Sequence, residues 1–501
     1  MEGGFMKAKA ASFLSKIVYA LLAVCLTWAV AAVFVNNFYS YSPIILALLS
    51  SAAFLMIVSA WLFIRKNETF FTKHIRLFTL GFFLFMRAIQ IAMIFPLRYK
   101  PVFDVGARFG GAAEWTTTGD FTSYHVYFGM FHNNWGGLLL LRLVFGLAKL
   151  LGISNFYLVA SIFNSALSLS TMYLTGSVCQ KLIGVRGRVM AYFLFTISLP
   201  FYFIAPAFYT DALTMVFPIL ILRLYLAARE QKNTAKRLLA FALMGIAAGV
   251  GYGIKATVII MLIAVVIDAV LFWDFKKYAP LIPISVIAVL LCSLAVQGAI
   301  YRHLDRSEAE RFEIPILHWV MMGTAGNGFY NGDEYEFTKS FADPAERETA
   351  VKERLQERLK SYGVRDYAGL FTVKLDIDFG DGTYGLSDCL GGKLKKSNAL
   401  HEFLLNNGAH RDAYKHICTG VLVALYVLLI ASCVLDVIRT GPTLKMLAPR
   451  LALFGLLLFL LFWEARWRYF SNYVPVIMVS AVIGLDRFAC KFGKRKVKCN
   501  A

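Results

Sequence analysis

Residues 17–35 read IVYALLAVCLTWAVAAVFV, an apolar run that contains no charged side chain. A helix of about 20 mostly apolar residues is long enough to cross a lipid bilayer. Similar runs recur along the chain and predict spanning helices at about 17–37, 43–64, 77–97, 155–178, 189–206, 211–228, 238–254, 256–273, 279–300, 416–437, 451–463 and 472–489. The sequence therefore predicts an all-α polytopic membrane protein, a bundle of about twelve transmembrane helices.

The composition of the 501 residues excludes a water-soluble globular protein. Hydrophobic residues make up 58% of the chain, charged residues make up 16%, and the mean hydropathy is +0.62. Soluble proteins usually contain about 25% charged residues. The eight cysteines form neither a disulfide framework nor the paired spacing of a zinc site. No small-residue cleavage site follows the first apolar run, so we interpret that run as a transmembrane helix rather than a removed signal.

The net charge of +20 is explained by membrane topology. A basic soluble protein would suggest a nucleic-acid partner, but cytoplasmic loops of membrane proteins collect lysine and arginine. When the N-terminus is placed inside, every second connection is short and basic. These connections contain Arg65, Lys66, Lys73, Arg76, Lys181, Arg186, Arg188, Arg229, Lys232, Lys236, Arg237, Lys276, Lys277, Arg439, Lys445 and Arg450. We therefore predict that both termini are cytoplasmic and that nucleic acid is not a partner.

Two long connections fall on the outer side. The connection at 98–154 contains an apolar stretch at 134–152 that is interrupted by Arg142 and Lys149, which favours a helix lying in the membrane interface. The connection at 301–412 has 15 Lys and Arg against 19 Asp and Glu, which indicates a small water-facing α/β or α-rich domain. We divide the chain into a transmembrane hairpin at 1–76, a core at 77–300, an extracytoplasmic domain at 301–412, C-terminal transmembrane helices at 413–490 and a basic cytoplasmic tail at 491–501.

One helix of the 301–412 connection has clear boundaries in the sequence. Asp343 precedes Pro344, which is the combination expected at an N-cap and the first helical position. Apolar residues then repeat every four positions at Val351, Leu355 and Leu359. Gly363 is expected to end this helix.

The first outer connection begins with PVFDVGARFGGAAEW at 101–115. If this stretch is helical, Asp104 and Arg108 lie on one face as i,i+4 neighbours, with Glu114 further along. Next to a membrane, a carboxylate can take a proton from an attacking hydroxyl while a guanidinium neutralises a phosphate. The alternative is an ordinary salt bridge in a solvated loop.

The same connection continues with YHVYFGMFHNNWGG at 124–137. His132, Asn133 and Asn134 lie among aromatic residues, an environment that suits sugar hydroxyls and ring faces. The alternative is helix capping by Asn134 next to an aromatic interface belt. The histidine spacing does not predict a metal site.

Three ionisable residues lie at the ends or inside of apolar segments. Asp211 follows the short outer turn in APAFYTDAL at 205–213, where it either stabilises the first turn of a helix or joins Asp104 as a second carboxylate. Lys255 separates two apolar helices without a cytoplasmic loop, so it is a functional candidate unless it reaches the outer headgroups. Arg87 lies in the middle of a span and needs a partner inside the bundle.

The segment WEARWRYFSNYVP at 463–475 places Glu464, Arg466, Arg468 and Tyr469 at the outer end of a helix. Outward arginines oppose the positive-inside trend, and Glu464 can neutralise only one of them. A lipid phosphate is the partner that we favour for the other, and headgroup anchoring is the alternative.

Taken together, these segments resemble bacterial members of the GT-C superfamily, the multi-spanning glycosyltransferases related to protein mannosyltransferases and lipid A aminoarabinose transferases. The similar features are Asp104, FHNN at 131–134, YTDAL at 209–213, GYGIKATV at 251–258 and WEARWRYF at 463–470. Two further segments look like those of a Gram-positive subgroup, namely HWVMMGTAGNGFYNGDEYE at 318–336 and VKLDIDFGDGTYG at 373–385. The sequence departs from many relatives in that Val105, rather than a second acidic residue, follows Asp104, and His132 replaces a proline.

The resemblance implies hexosyl or pentosyl transfer from a polyprenyl-phosphate carrier, such as undecaprenyl phosphate, to a cell-envelope polymer, glycolipid or protein on the outer face of the cell membrane. It implies inversion at the anomeric carbon without a metal or a cofactor other than the donor. Asp104 is then the catalytic base, with Asp211 and Glu114 as candidate second carboxylates. The candidates for binding the lipid phosphate are Lys255, Arg108, Arg466, Arg468 and Tyr469. The candidates for binding sugar or acceptor are His132, Asn133, Asn134 and His318.

A transporter or flippase of a lipid-linked saccharide is the alternative function. Twelve helices with both termini inside are common among transporters, whose ionisable residues concentrate near the membrane midplane. Here the candidate residues fall at one face, and the 301–412 connection interrupts any two-fold repeat. Convergence of Asp104, Asp211, Lys255 and Arg466 at the outer end would favour transfer over transport.

Overall fold

The computed structural model describes residues 2–272, 278–390, 393–394, 397–438 and 447–492. The first half of the described chain forms α1 (Glu2–Val35), α2 (Pro43–Lys66), α3 (Glu68–Ile94), α4 (Phe103–Thr118), α5 (His125–Met130), α6 (Trp135–Leu150), α7 (Phe156–Ile183), α8 (Val185–Ile197), α9 (Pro200–Phe203), α10 (Thr210–Thr214), α11 (Val216–Glu230) and α12 (Thr234–Ile254). The second half forms α13 (Ile259–Phe272), α14 (Ile282–Ile300), α15 (Arg306–Phe312), α16 (Ile316–Gly323), α17 (Gly332–Lys339), α18 (Pro344–Ser361), α19 (Val364–Phe379), α20 (Leu386–Cys389), α21 (His401–Leu404), α22 (Arg411–Ile438), α23 (Ala448–Phe462) and α24 (Val474–Phe492).

Short elements complete the fold. Single 3₁₀ turns form at Thr122–Tyr124, His132–Asn134, Ala256–Val258, Ala279–Leu281 and Ser471–Tyr473. Two short strands, β1 (Tyr99–Lys100) and β2 (Lys393–Leu394), pair in the antiparallel sense, with Tyr99 opposite Leu394. This pairing joins the first outer connection to the 301–412 connection.

The predicted multi-spanning helical fold is confirmed, but fewer helices than expected are full spans. Within the described residues, eight helices are long and apolar enough to cross a membrane, and Ala256–Phe272 and Ala448–Phe462 are shorter apolar helices. The segment predicted at 189–206 is divided, because α8 ends at Ile197 and α9 begins at Pro200. The segment predicted at 472–489 forms α24, whose charged residues Asp486 and Arg487 lower its apolar character. Lys276, Lys277, Arg439, Lys445 and tail residues 493–501 lie outside the described residues.

Small residues allow the transmembrane helices to pack closely. Helix α22 packs against α1, α2 and α24, and α12 packs along α14. On α12, Gly245 and Gly249 face α14, where a Cβ on Gly245 would come within 2.4 Å of the Ser285 carbonyl oxygen. Small residues four positions apart let two helices approach closely. This matters in a lipid bilayer, because burial of apolar side chains away from lipid does not drive helix association and close packing has to do so.

The first outer connection contains the predicted helix at 134–152 and is also helical around Asp104, while α5 was not expected from the sequence. Helix α4 includes both Asp104 and Arg108, and α6 matches the predicted interfacial helix. Helix α6 buries Leu138 and Phe145 on one face and exposes Leu147 on the other. An exposed apolar face of this kind suits contact with lipid.

The 301–412 connection is predominantly helical and docks on the transmembrane bundle. As predicted, Asp343 caps α18 by accepting hydrogen bonds from the Ala345 and Glu346 backbone N–H groups, each at 2.9 Å. Helix α18 ends at Ser361, two residues before Gly363. The buried Asp376 carboxylate accepts hydrogen bonds from Asn36 Nδ2 at 2.8 Å and Phe38 N at 2.7 Å, which fixes this region to the end of α1.

Candidate active site

The Asp104 carboxylate is held by two tyrosine hydroxyls. Tyr127 donates a hydrogen bond to Asp104 Oδ1 at 2.7 Å, and Tyr209 donates one to Oδ2 at 2.9 Å. The preceding residue, Phe103, has φ of 53°, a left-handed conformation that is unfavourable for a bulky side chain. Such strain costs about 1–3 kcal/mol and persists where the surroundings impose it, as at ligand sites.

Tyr209 connects Asp104 to the basic segment near the end of the chain. Its hydroxyl accepts a hydrogen bond from Arg468 Nη2 at 3.0 Å while it donates to Asp104. The Arg468 guanidinium also lies 4.3 Å from the centroid of the Tyr209 ring. One tyrosine thus fixes a carboxylate and a guanidinium from distant parts of the chain in a single arrangement.

Asp211 pairs with two cations in the same place. Its Oδ1 forms an ion pair with Lys255 Nζ, and its Oδ2 lies 3.2 Å from Arg468 Nε. All three side chains are at most 10% exposed, so these charges interact with little solvent screening. The Lys255 ammonium also lies 4.3 Å from the centroid of the Tyr469 ring. The structure therefore brings Asp211, Lys255 and Arg468 together with Asp104.

Arg108 completes this group and leaves hydrogen-bond donors unused. The residue is 1% exposed, and its guanidinium lies 4.9 Å from the centroid of the Tyr209 ring. Its Nη1 and Nη2 atoms are buried and have no hydrogen-bond partner among the residues that the structure describes. A buried donor without a partner costs about 1–3 kcal/mol, and more when it is charged. A ligand that accepts hydrogen bonds would remove this cost.

The charges of this group set the ionisation of its members. Burial acts to raise the pKa of Asp104, but the Arg108 and Arg468 charges and the two tyrosine hydrogen bonds outweigh it and hold the pKa below its usual value. Burial lowers the pKa of Lys255, although the Asp211 charge opposes that change. Asp104 is therefore a carboxylate at neutral pH. Three cations then face two carboxylates, which leaves an excess positive charge that suits an anionic ligand.

Close backbone packing places Lys255 next to the first outer connection. A Cβ on Gly136, at the start of α6, would lie 2.2 Å from the Gly253 carbonyl oxygen at the end of α12. On the other side, Asn472 Nδ2 donates a hydrogen bond to Thr257 Oγ1 at 3.0 Å, which ties the segment after Lys255 to the segment after Arg468. The ends of several helices are thereby fixed around the charged group.

Three other predicted site residues lie at the edge of the charged group or away from it. Glu114 was a candidate second carboxylate, and Arg466 and Tyr469 were candidates for binding the lipid phosphate. Glu114 accepts a hydrogen bond from the Ser123 backbone N–H at 3.0 Å and shapes its own loop. Arg466 pairs with Glu464 at 2.9 Å, and its guanidinium lies over the Phe329 ring rather than next to Asp211. The Tyr469 hydroxyl donates to Glu464, so Tyr469 contributes only its ring to Lys255.

The four candidates for sugar or acceptor binding fall in different environments. Asn134 Nδ2 donates to the Tyr127 hydroxyl at 2.9 Å, so its amide supports the site rather than capping α6. His132 Nδ1 lies 3.3 Å from Glu313 Oε1, and Asn133 is exposed. The His318 ring is fully buried, with Nδ1 2.7 Å from Thr338 Oγ1, and burial lowers its pKa to about 4. The His318 ring itself is therefore closed to a sugar.

Sequence reasoning missed Tyr127 and Tyr209 as members of the site. Both lie in segments that were singled out for their polar residues, but aromatic residues make up 15% of the chain and carry little signal. The partner of Arg87 also becomes clear, because its Nη1 donates to Ser165 Oγ at 3.0 Å inside the bundle.

Residues 10–488 match the family model described as conserved hypothetical integral membrane protein. The chain belongs to this family. Membership agrees with the multi-spanning fold and establishes an integral membrane protein. No curated protein matches the chain. Among solved structures, the chain is similar to the crystal structure of ArnT from Cupriavidus metallidurans bound to undecaprenyl phosphate, with 10% sequence identity, a TM-score of 0.37 and coverage of 81% of this chain and 77% of that chain. A likeness of this size gives no information on function.

Proposed function

We propose that the protein is a glycosyltransferase that moves a sugar from a polyprenyl-phosphate carrier to a cell-envelope acceptor. The observation that carries this proposal is the buried Arg108 guanidinium, whose Nη atoms have no partner among the described residues and which lies one helical turn from Asp104. A phosphate would satisfy these donors in the bidentate geometry that arginine favours. The donor phosphate would then lie close to a carboxylate that can act as a base.

The reaction follows from these positions. The acceptor hydroxyl oxygen attacks the anomeric carbon of the donor sugar, and Asp104 takes the hydroxyl proton. The bond between the anomeric carbon and the phosphate oxygen breaks, and its electron pair leaves with the polyprenyl phosphate. Arg108, Arg468 and Lys255 stabilise the charge that develops on this phosphate. A single displacement of this kind inverts the anomeric carbon and needs one base.

Tyr209 and Asp211 act as positioning residues in this mechanism. Tyr209 orients Asp104 and Arg468 through one hydroxyl, and Asp211 keeps Lys255 and Arg468 in place before the donor binds. Asp104 accepts one hydrogen bond at each oxygen, which leaves further lone pairs for an acceptor hydroxyl.

The charge distribution supports an active site on the outer face of the membrane. The site lies at the end of α12 and the start of α10. The other end of the bundle contains the C-terminal ends of α2, α7 and α11, which carry basic residues such as Arg65, Lys66, Lys181 and Arg229. Because lysine and arginine collect in the cytoplasm, that opposite end is the cytoplasmic one. A charged group at one end of the bundle also favours an enzyme over a transporter, whose ionisable residues concentrate near the midplane.

The proposal predicts that Asp104→Asn abolishes transfer. Asparagine keeps the shape of the side chain but cannot accept the proton. Membranes that contain the variant should transfer no label from radiolabelled undecaprenyl-phosphate hexoses or pentoses to envelope material, while wild-type membranes do. Glu114→Gln is the matched control, since Glu114 lies in the same helix and bonds only to its own loop in the described structure. Full transfer by Asp104→Asn would overturn the proposal.

A further inference from the structure

Half-buried and exposed aromatic side chains form a continuous surface next to the candidate site. Phe131 of the first outer connection lies 6.3 Å from Trp319 and 6.4 Å from Tyr335, and its ring is nearly parallel to that of Tyr335. Tyr330 extends the row, with its ring centroid 6.3 Å from that of Tyr335, and is 45% exposed. We call Phe131, Trp319, Tyr330 and Tyr335 the aromatic platform.

The aromatic platform is continuous with the Asp104 site. The Phe131 ring packs 4.9 Å from the ring of Tyr127, which donates a hydrogen bond to Asp104. At the other end, burial and then the negative charges of Glu464, Glu336 and, to a smaller degree, Asp104 raise the pKa of Tyr330. A molecule lying on the platform would extend toward Asp104.

The platform also carries polar groups that are not used within the protein. In the part of the chain that the structure describes, Trp319 Nε1, the Tyr330 hydroxyl and the Asn133 amide make no hydrogen bond to another residue. Lys339 lies 5.1 Å from the centroid of the Tyr335 ring, and Arg466 lies 5.6 Å from that of Tyr330. Flat rings are thus bordered by hydrogen-bonding groups.

This combination fits a saccharide better than a lipid chain or a peptide. A sugar ring presents apolar C–H faces and a rim of hydroxyls, so it can stack on aromatic rings while its hydroxyls bond to groups at their edges. An isoprenoid chain would leave Trp319 Nε1 and the Tyr330 hydroxyl without partners. An extended peptide that binds by strand addition needs a sheet edge for its backbone hydrogen bonds, and the platform residues lie on helices or loops.

We propose that the aromatic platform binds the acceptor and that this acceptor is a saccharide. This inference rests on the proposed glycosyl transfer, in which a hydroxyl of the bound saccharide is the nucleophile next to Asp104. The platform joins Phe131 of the first outer connection to three residues of the 301–412 connection, so the second connection takes part in acceptor choice and is more than a cover over the site.

The test measures saccharide binding by the full-length protein in detergent. Chitotetraose, maltotetraose and mannotetraose serve as probes, and tryptophan fluorescence reports binding. We expect at least one tetrasaccharide to quench the wild-type fluorescence. Trp319→Phe should remove this signal while keeping an aromatic ring, and Tyr330→Ala should weaken binding about tenfold, since a ring contact contributes about this factor. Phe403→Ala is the control, because Phe403 is 44% exposed in the same connection and packs against His410 instead.

Binding of undecaprenyl phosphate is measured in parallel with the same variants. It should not change in Trp319→Phe or Tyr330→Ala, because neither residue contacts the charged group. Equal tetrasaccharide binding by wild type and Tyr330→Ala would overturn the inference, as would the absence of any tetrasaccharide binding by a protein that binds undecaprenyl phosphate. The proposed function would instead fail if Asp104→Asn remained active. The two failures are therefore distinguishable.

Discussion

Tyr209 links the Asp104 carboxylate to Arg468, an ion-pair partner of Asp211, through one hydroxyl group. It donates to Asp104 and accepts from Arg468, and its ring lies next to the guanidinium groups of Arg108 and Arg468. Removing the hydroxyl would leave every charge in place but uncouple the base from the cations. For the individual residue, the site therefore depends on how Tyr209 positions Asp104 and Arg468 as much as on the charges that these residues carry.

Tyr209→Phe should reduce kcat about 10- to 100-fold, which corresponds to the loss of a hydrogen bond to charged groups. The KM for the lipid donor should change less, because Arg108 and Lys255 remain. Steady-state transfer assays at several donor concentrations separate the two parameters. Tyr252→Phe serves as the control, since Tyr252 is 42% exposed. A rise in KM at constant kcat would contradict a positioning role for Tyr209.

The pH dependence should report on Lys255. Burial lowers its pKa from the ordinary value of 10.5, so the ammonium loses its proton, and with it the attraction for phosphate, at a lower pH than an exposed lysine would. The KM for the donor should rise with increasing pH, with a midpoint below 10.5. Lys255→Arg should remove this rise, because arginine stays charged throughout the range.

The Asp104 pKa is lowered, so protonation of the base contributes nothing to this alkaline change. Asp104 remains ionised as the pH rises, and activity that depends on it is lost only on the acid side, below the ordinary aspartate pKa of 3.8. Identical alkaline profiles in the wild type and in Lys255→Arg would show that Lys255 does not bind the phosphate.

The sequence identified charged members of the site more readily than aromatic ones. Lys255 was conspicuous because no loop accounted for an ammonium between two apolar helices, and Asp104 and Arg108 shared a helix face. Arg466 and Arg468 could not be distinguished by sequence, since both follow the same helix. The structure separates them because Asp378 Oδ1 accepts the Arg466 backbone N–H at 2.8 Å and Glu464 takes its side chain.

At the scale of the element, the contact between α6 and α12 positions the charged group. The start of α6 meets the end of α12 at Gly136 and Gly253, and Gly253 lies two residues before Lys255 along the chain. The contact is asymmetric, since a Cβ on Gly253 would have its nearest neighbour, Gly136 Cα, at 3.8 Å. The close approach of α6 and α12 therefore requires a glycine at position 136, whereas position 253 has room for a Cβ atom.

Gly136→Ala should force the two helix ends apart, because its Cβ would lie 2.2 Å from a backbone oxygen that cannot rotate away. We expect a loss of about 1–3 kcal/mol in the free energy of unfolding, as for other overpacked sites, together with lower transfer activity. Thermal unfolding and transfer assays measure the two effects. Gly253→Ala is the matched control and should have a much smaller effect on both. Equal effects of the two substitutions would contradict the asymmetric contact.

Helix boundaries could be predicted where local chemistry marks them. Asp343 and Pro344 marked the start of α18, and an apolar stretch interrupted by Arg142 and Lys149 indicated α6. The break between α8 and α9 was not recognised, because the apolar character of 189–206 continues across Ser198 and into Pro200. Hydropathy alone does not report such a break, and short helices were therefore counted as full spans.

At the scale of the whole molecule, the chain assembles its site from four distant segments at one end of the bundle. Asp104, Asp211, Lys255 and Arg468 come from the first outer connection, α10, the end of α12 and the segment after α23. The convergence considered from the sequence was that of Asp104, Asp211 and Lys255 with Arg466, whereas in the structure Arg468 takes the place of Arg466. Sequence reasoning could not predict how the 301–412 connection docks, since the contacts of Asp376 and the pairing of β1 with β2 depend on tertiary structure.

The proposed glycosyl transfer requires that this end of the bundle bind the phosphate of a polyprenyl lipid. The decisive measurement compares binding of undecaprenyl phosphate and of uncharged undecaprenol to the purified full-length protein in nanodiscs. Arg98→Met is the control for Arg108→Met, since Arg98 lies in the same outer connection but contacts the Tyr157 ring.

The wild type should bind undecaprenyl phosphate more tightly than undecaprenol. Arg108→Met should weaken binding of the phosphate about 10- to 100-fold, as expected for lost hydrogen bonds to a charged group. Binding of undecaprenol should be the same in both proteins, and Arg98→Met should bind the phosphate like the wild type. Equal affinity of the wild type for the two lipids, or unchanged phosphate binding by Arg108→Met, would contradict the account.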